Sequence, residues 1–259
     1  MSDERIIEVR DLDVERGEHL VLKEADFQVK RGDYVGIVGP NGGGKTTLIK
    51  AMLGILPHSR GEIRFFGEPI NSFDGWEKIA YVSQHSINFD ENFPLTVREL
   101  VGLGRISSDN LGRRLSDEDW RHVDEALDFM GLTDLSDRRI GKLSGGQKQR
   151  AFVAKAMVRN PEVLFLDEPV TGIDAKAQKS FYMRLSNLNL DRGTTIMIVS
   201  HDLAAVFCRM SKVLAVNQRV YVTDIDMHVD PNRILRKAYG EHFHFTFHKH
   251  LCEGLFDVA

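Results

Sequence analysis

"GPNGGGKTT", Gly39 to Thr47, opens on the last glycine of the apolar run "YVGIVG" and leads into "LIKAMLGIL". It satisfies G-x-x-x-x-G-K-[ST] between a predicted strand and a predicted helix, the context that makes this spacing specific for a phosphate-binding loop. Its glycines let the backbone turn N–H groups toward phosphate oxygens, and the helix start adds partial positive charge. Gly39, Asn41, Gly42, Gly43, Gly44, Lys45, Thr46 and Thr47 are therefore candidate nucleotide contacts. Lys45 is expected to reach the β and γ phosphates, and the Thr46 hydroxyl to hold Mg²⁺.

Farther along, "VLFLDEP" and "TTIMIVSHD" are apolar runs that end in polar residues and are followed by helical patterns. Strand, loop and helix in repetition predict an α/β core with a mostly parallel sheet, whose ligands collect at the carboxyl ends of its strands. Asp167 and Glu168 stand at such an end. Adjacent carboxylates are usually a solvated surface, but the buried run before them aims these at the phosphate loop. Asp167 suits Mg²⁺, directly or through water, and Glu168 suits the general base for an attacking water.

These features are shared by kinases, helicases, GTPases and transport motors. "KLSGGQKQR" separates them. Ser144, Gly145, Gly146 and Gln147 open a helix whose first N–H groups and hydroxyl form a second phosphate-binding device. One nucleotide already has its loop, so the second device implies a γ-phosphate brought by another copy, with two chains enclosing two ATP molecules.

"GPNGGGKTT", "YVSQ", "LSGGQKQR", "LFLDEP", "GID" and "VSHD", in that order, resemble the ATP-binding subunits of ABC transporters over nearly the whole chain. The resemblance implies an α/β fold: a P-loop ATPase with a RecA-like, mostly parallel sheet core, an N-terminal antiparallel β subdomain and an inserted α-helical subdomain. It also implies roles at matching positions. Gln84 of "YVSQ" would touch Mg²⁺ and the attacking water and sense the transport partner. His201 of "VSHD" would contact the γ-phosphate, and Asp174 of "GID" would communicate across the dimer. Where the family commonly stacks an aromatic residue on adenine, "VERGEHL" offers Arg16 and His19, whose planar groups could take that place. ATP is expected to be preferred over GTP.

The composition fits this class. The chain has 259 residues, 42% of them hydrophobic, and a formal net charge of −4 with the two signs interleaved, so no footprint for a nucleic-acid backbone appears. Its charged start "MSDERIIEVR" and lack of a long apolar run predict a cytosolic chain, and the resemblance then implies a place at the inner face of the cell membrane beside a separate permease. By resemblance, an extracytoplasmic substrate-binding protein joins the system. Cys208 and Cys252 sit in no metal or redox spacing and read as buried or idle thiols.

Short segments "IIEV", "LDVE", "LVL" and "FQVK" predict the antiparallel sheet. The nucleotide-binding core is expected over 1–92 and 151–226, the helical subdomain over 93–150 and a C-terminal extension over 227–259. Thr96 with Glu99 has capping-box spacing, Ser116 reads as a second N-cap, and Asp230, Pro231 and Gly240 bound a last helix. Asn92, Phe93 and Pro94 lie where the family docks a coupling helix of the permease.

Beyond the last helix, "HFHFTFHKH" carries His242, His244, His248 and His250. As a strand, it would put the histidines on one face and the phenylalanines inward, with paired histidines about 7 Å and the outermost about 27 Å apart. One ion cannot gather all four. As a helix, it would bring His244 and His248 together. A polar face, a regulatory or incidental Zn²⁺ site and a cargo path are the three readings. This tail and "FPLTVRELVGLGR" are similar to the zinc and manganese branch of ABC importers. Importers of other cargo and ABC ATPases of soluble assembly complexes, such as iron–sulfur cluster maturation, share the same motor motifs.

Overall fold

The computed structural model of the chain describes residues 4–84, 93–108, 110–226 and 228–246. Two compact units form, one from Met1–Asp74 with Asn189–Ala259 and one from Gly75–Leu188.

In the first unit, β1 (Arg5–Arg16) pairs antiparallel with β2 (His19–Lys30) on one side. On its other side lies β4 (Arg60–Phe65), followed by the short β5 (Glu68–Pro69). The four short segments expected here are in fact two long strands. Asp11 and Glu24, charged interruptions of the apolar pattern, take left-handed φ values of 47° and 48°, and the β1–β2 pairing shifts register along its length. Such bulges bend a strand without ending its ladder.

The same unit holds β3 (Tyr34–Val38), parallel to both β8 (Thr195–Val199) and β9 (Lys212–Asn217), while β10 (Arg219–Asp224) returns antiparallel to β9. Every residue of β3 and β8 is buried. Strands covered on both faces read as unbroken apolar runs, which is why these two were legible. Helix α1 (Lys45–Met52) follows β3, and α6 (Leu203–Arg209) follows β8. Cys208 on α6 is buried and disulfide-bonded, which corrects the idle-thiol reading for that residue; Cys252 lies outside the described residues.

Helix α7 (Pro231–Tyr239) begins and ends as its sequence predicts. The Asp230 carboxylate accepts from Asn232 N at 3.0 Å, and Gly240 stops the helix at φ 101°. The described part of the histidine segment then departs from both geometries considered for it, since Glu241–Thr246 is a turn and irregular chain. Its alternation survives nonetheless: His242 and His244 are exposed, while Phe243 and Phe245 are half-buried. The Asn232 side chain stands in for a partner strand, accepting from Phe245 N at 2.7 Å and donating to Phe245 O at 3.0 Å.

In the second unit, β6 (Ile79–Val82) runs parallel to the fully buried β7 (Val163–Asp167). Its helices are α2 (Val97–Gly102), α3 (Asp117–Phe129), α4 (Gly145–Met157) and, as far as Leu188, α5 (Ala175–Arg192). Thr96 and Glu99 form the expected capping box, Ser116 pairs likewise with Asp119, and Ser144 with Gln147. Each box satisfies two N–H groups that the helix itself leaves unpaired. An antiparallel sheet, a mostly parallel sheet and a helical portion are thus all present, and no described helix is long and apolar enough to cross a membrane.

The Arg105 guanidinium, 2.8 Å away, and the Ser116 N–H and hydroxyl hold the Asp119 carboxyl down at about 2, below its ordinary 3.8. A lowered folded-state pKa stabilises above the ordinary value, and that contribution is lost as pH falls toward the folded one. Allowing for solvent screening, it is worth about 1 kcal/mol. Asp119→Ala is expected to lower the melting temperature by about 2–4 °C at neutral pH. Melts repeated at lower pH should show that gap shrinking as the carboxylate protonates; a gap independent of pH would assign the loss to packing alone.

Candidate nucleotide-binding site

The phosphate loop follows β3 and is held from several sides within the first unit. Gly39 has φ 151°, and a Cβ there would lie 2.0 Å from the Val216 carbonyl oxygen at the end of β9. Gly42 and Gly44 take φ of 77° and 104°, and Gly44 lies against Leu22 of β2. Gln218 N donates to Gly43 O at 3.0 Å. Lys45 is buried, and its ammonium donates to Gly39 O at 2.9 Å and Pro40 O at 3.0 Å. Gly44 precedes α1 with no side-chain cap, so that helix start presents backbone N–H groups. Thr46 is half-buried, Thr47 is buried and Asn41 is exposed.

His201 belongs to the same unit. It follows Ser200, whose N–H donates to Ile37 O of β3 at 3.1 Å, so the β8 end is fixed beside the strand that launches the loop. Arg16 and His19 face each other across the tight end of the β1–β2 hairpin, both exposed, a few residues before the Leu22 that touches Gly44.

In the second unit the expected carboxylates converge with Gln84. Asp167 ends β7 at 2% exposure, and Tyr81 Oη donates to its Oδ2 at 3.4 Å. Desolvation first, then the charge of Asp167, pushes the Tyr81 phenol up to about 12, so it stays a donor. Gln84 Nε2 donates to Glu168 Oε2 at 3.1 Å, and Thr171 Oγ1 lies 3.5 Å from the same oxygen. Glu168 itself has φ 48°, a left-handed conformation that a residue with a side chain rarely adopts. Such outliers gather at functional sites.

Also in this unit, Ser144 Oγ accepts from Gln147 N at 3.3 Å, and Gln147 Oε1 accepts from Ser144 N at 2.9 Å. Gly145 and Gly146 therefore occupy the first turn of α4 without side chains over its N–H groups. Asp174 caps α5, accepting from Ala177 N at 3.0 Å. Tyr81 and Thr171 carry no signal of their own in the sequence, although the first lies inside "YVSQ" and the second just before "GID".

The histidines yield less. Arg236 Nη2 lies 3.3 Å from His244 Nδ1, and among the described residues no group of three or more His, Cys, Asp or Glu side chains could hold an ion. His248 and His250 lie outside the described residues, as does Asn92; Phe93 and Pro94 are exposed.

A glycine loop on a buried strand, a carboxylate pair at a second strand end and a capped glycine helix start are the parts of an ATP-hydrolysing enzyme. The family profile described as ABC transporter matches residues 22–171, and the chain belongs to that family as an ATP-binding, ATP-hydrolysing transporter subunit. It is 41% identical over 216 residues to the zinc uptake system ATP-binding protein ZurA of Listeria innocua, covering 83% of this chain and 84% of that one. It is 35% identical over 234 residues to the manganese transport system ATP-binding protein MntB of Bacillus subtilis, covering 90% and 92%. Among solved structures, cbiO1 of Clostridium perfringens, part of the ABC transporter complex cbiONQ, superposes with a TM-score of 0.74 at 30% identity, covering 86% of this chain and 89% of that one.

Proposed function

We propose that this chain powers the uptake of a divalent metal, zinc or manganese, through a separate membrane permease supplied by an extracytoplasmic binding protein. The observation that carries this reading is its similarity, over most of both chains, to ATP-binding proteins of zinc and manganese uptake systems. Two copies close head to tail on two ATP molecules at the cytoplasmic face of the membrane, and no nucleic acid takes part.

In this reading the phosphate loop and Lys45 bind the triphosphate. Lys45 leaves the Gly39 and Pro40 carbonyls, which are weaker acceptors than phosphate. Thr46, Gln84 and Asp167 are oxygen donors of the kind Mg²⁺ takes, and Asp167 stands at the buried carboxyl end of β7. Mg²⁺, when bound, neutralises charge on the phosphate oxygens. Glu168 takes the proton of the attacking water, oriented by Gln84, and His201 steadies the γ-phosphate. The Ser144 hydroxyl, Gly145, Gly146 and Gln147 meet the γ-phosphate of the partner copy's nucleotide. Asp174, by capping α5, fixes the segment that crosses the dimer. Arg16 or His19 covers the base. The exposed Phe93 and Pro94 lie in the surface offered to the permease. The described histidines are assigned only a polar face.

Total cellular zinc, manganese and iron, measured under metal limitation with the native chain or its Glu168→Gln variant, test this. A fall in zinc or manganese is expected with the variant. No change in either metal would overturn the metal reading, and co-purification with soluble partners in place of membranes would turn it toward an assembly complex.

A further inference from the structure

We propose that Tyr239, the last residue of α7, is a positioning residue for the phosphate loop, an inference that rests on the reading of Lys45 and its loop as the triphosphate site. The Gly39 N–H donates to the Tyr239 hydroxyl at 3.0 Å. The same glycine's carbonyl accepts the Lys45 ammonium at 2.9 Å. Gly39 is thus held on both sides, its N–H by the helix beyond the core sheet and its C=O by the residue that must later reach phosphate.

The hold matters because the residue it acts on has no side chain with which to anchor itself. Gly39 has no side chain, its φ is 151°, and Pro40 after it brings no N–H of its own. When ATP arrives, Lys45 must release the Gly39 and Pro40 carbonyls, removing two of the loop's internal tethers. The tyrosine tether does not involve the lysine and persists through that exchange. It keeps the strand-to-loop peptide in place and so spares ATP the ordering of a loosened loop.

The phenol is itself held in place. Its ring stacks on Phe243 with centroids 4.6 Å apart and planes at 23°. Phe243 N donates to Gly240 O at 3.0 Å, and Arg236 Nε reaches Phe243 O at 3.4 Å. Asn217 Nδ2 donates to Ala238 O at 2.8 Å, tying the last turn of α7 to the β9–β10 turn. Val216 and Gln218, on either side of Asn217, touch Gly39 and Gly43. Helix, hairpin turn and loop thus form one bonded unit within the first compact unit, and the phenol bonds directly to the loop's first residue.

Tyr239→Phe in the full chain is the test, because it keeps the ring and its stacking and removes only the hydroxyl. Loss of one hydrogen bond of ordinary net worth is expected to raise both the KM for ATP and the Kd for a fluorescent ATP analogue about three- to tenfold. The kcat should stay within about twofold, since the proton-transfer groups are untouched. Unchanged KM and Kd, or a fall in kcat with KM constant, would overturn the inference. Lys45→Ala, measured in parallel, separates the layers. If that variant fails to bind ATP while Tyr239→Phe behaves as the parent, only the tyrosine's role is lost. If Lys45→Ala binds ATP as the parent does, the reading of the loop falls and the inference with it.

Discussion

Glu168→Gln is expected to bind ATP as the parent chain does and to hydrolyse it about 100-fold or more slowly, the scale of losing a positioned general base. The amide matches the carboxylate in size and still offers an oxygen to Gln84 Nε2, now 3.1 Å from Glu168 Oε2. It cannot accept the proton of the attacking water at neutral pH. Binding is spared because the main triphosphate contacts, in the loop after β3, do not include Glu168. Single-turnover hydrolysis beside equilibrium nucleotide binding separates the two effects. A turnover near that of the parent would require another base, and Asp167 would be examined next.

Gly39→Ala should damage nucleotide binding, for a different reason. The added Cβ would sit 2.0 Å from the Val216 carbonyl oxygen, and that oxygen belongs to a strand paired on both sides, so it cannot retreat cheaply. The φ of 151° adds strain of its own. The loop must therefore shift, and a loss of ATP affinity of about tenfold or more is expected, the factor that roughly 1.4 kcal/mol produces. Gly42→Ala provides the contrast: its Cβ would meet nothing within 4 Å, leaving only a left-handed φ of 77° to oppose it. Equal nucleotide affinity in Gly39→Ala and the parent would show that the strand end yields more readily than its pairing implies.

The features legible in the sequence are those fixed over a few residues. Thr96 with Glu99, Ser116 and Asp230 announce helix starts because the capping partner lies two or three positions away. The buried strands β3, β7 and β8 announce themselves because cover on both faces leaves each a run of apolar residues, with a polar residue only at an end. The antiparallel strands were cut too short, since Asp11 and Glu24 look like turns when they are bulges inside a continuing ladder. Tyr81 and Tyr239 could not be read at all: they serve residues 86 and 200 positions away, and no local pattern marks such a partner. The histidine segment shows the reverse case. Its alternation is present from His242 to Phe245, where the Asn232 side chain holds it and, among the described residues, no neighbouring strand does.

Glu168 is a glutamate where the backbone would prefer glycine or asparagine. A residue with a side chain pays about 1 kcal/mol or more for φ in that region, and any acid placed there inherits the penalty. Heat tolerance and turnover are therefore opposed at this one peptide unit. A population evolved for thermal endurance, with no demand for transport, would drift toward glycine here and lose the enzyme while strengthening the protein.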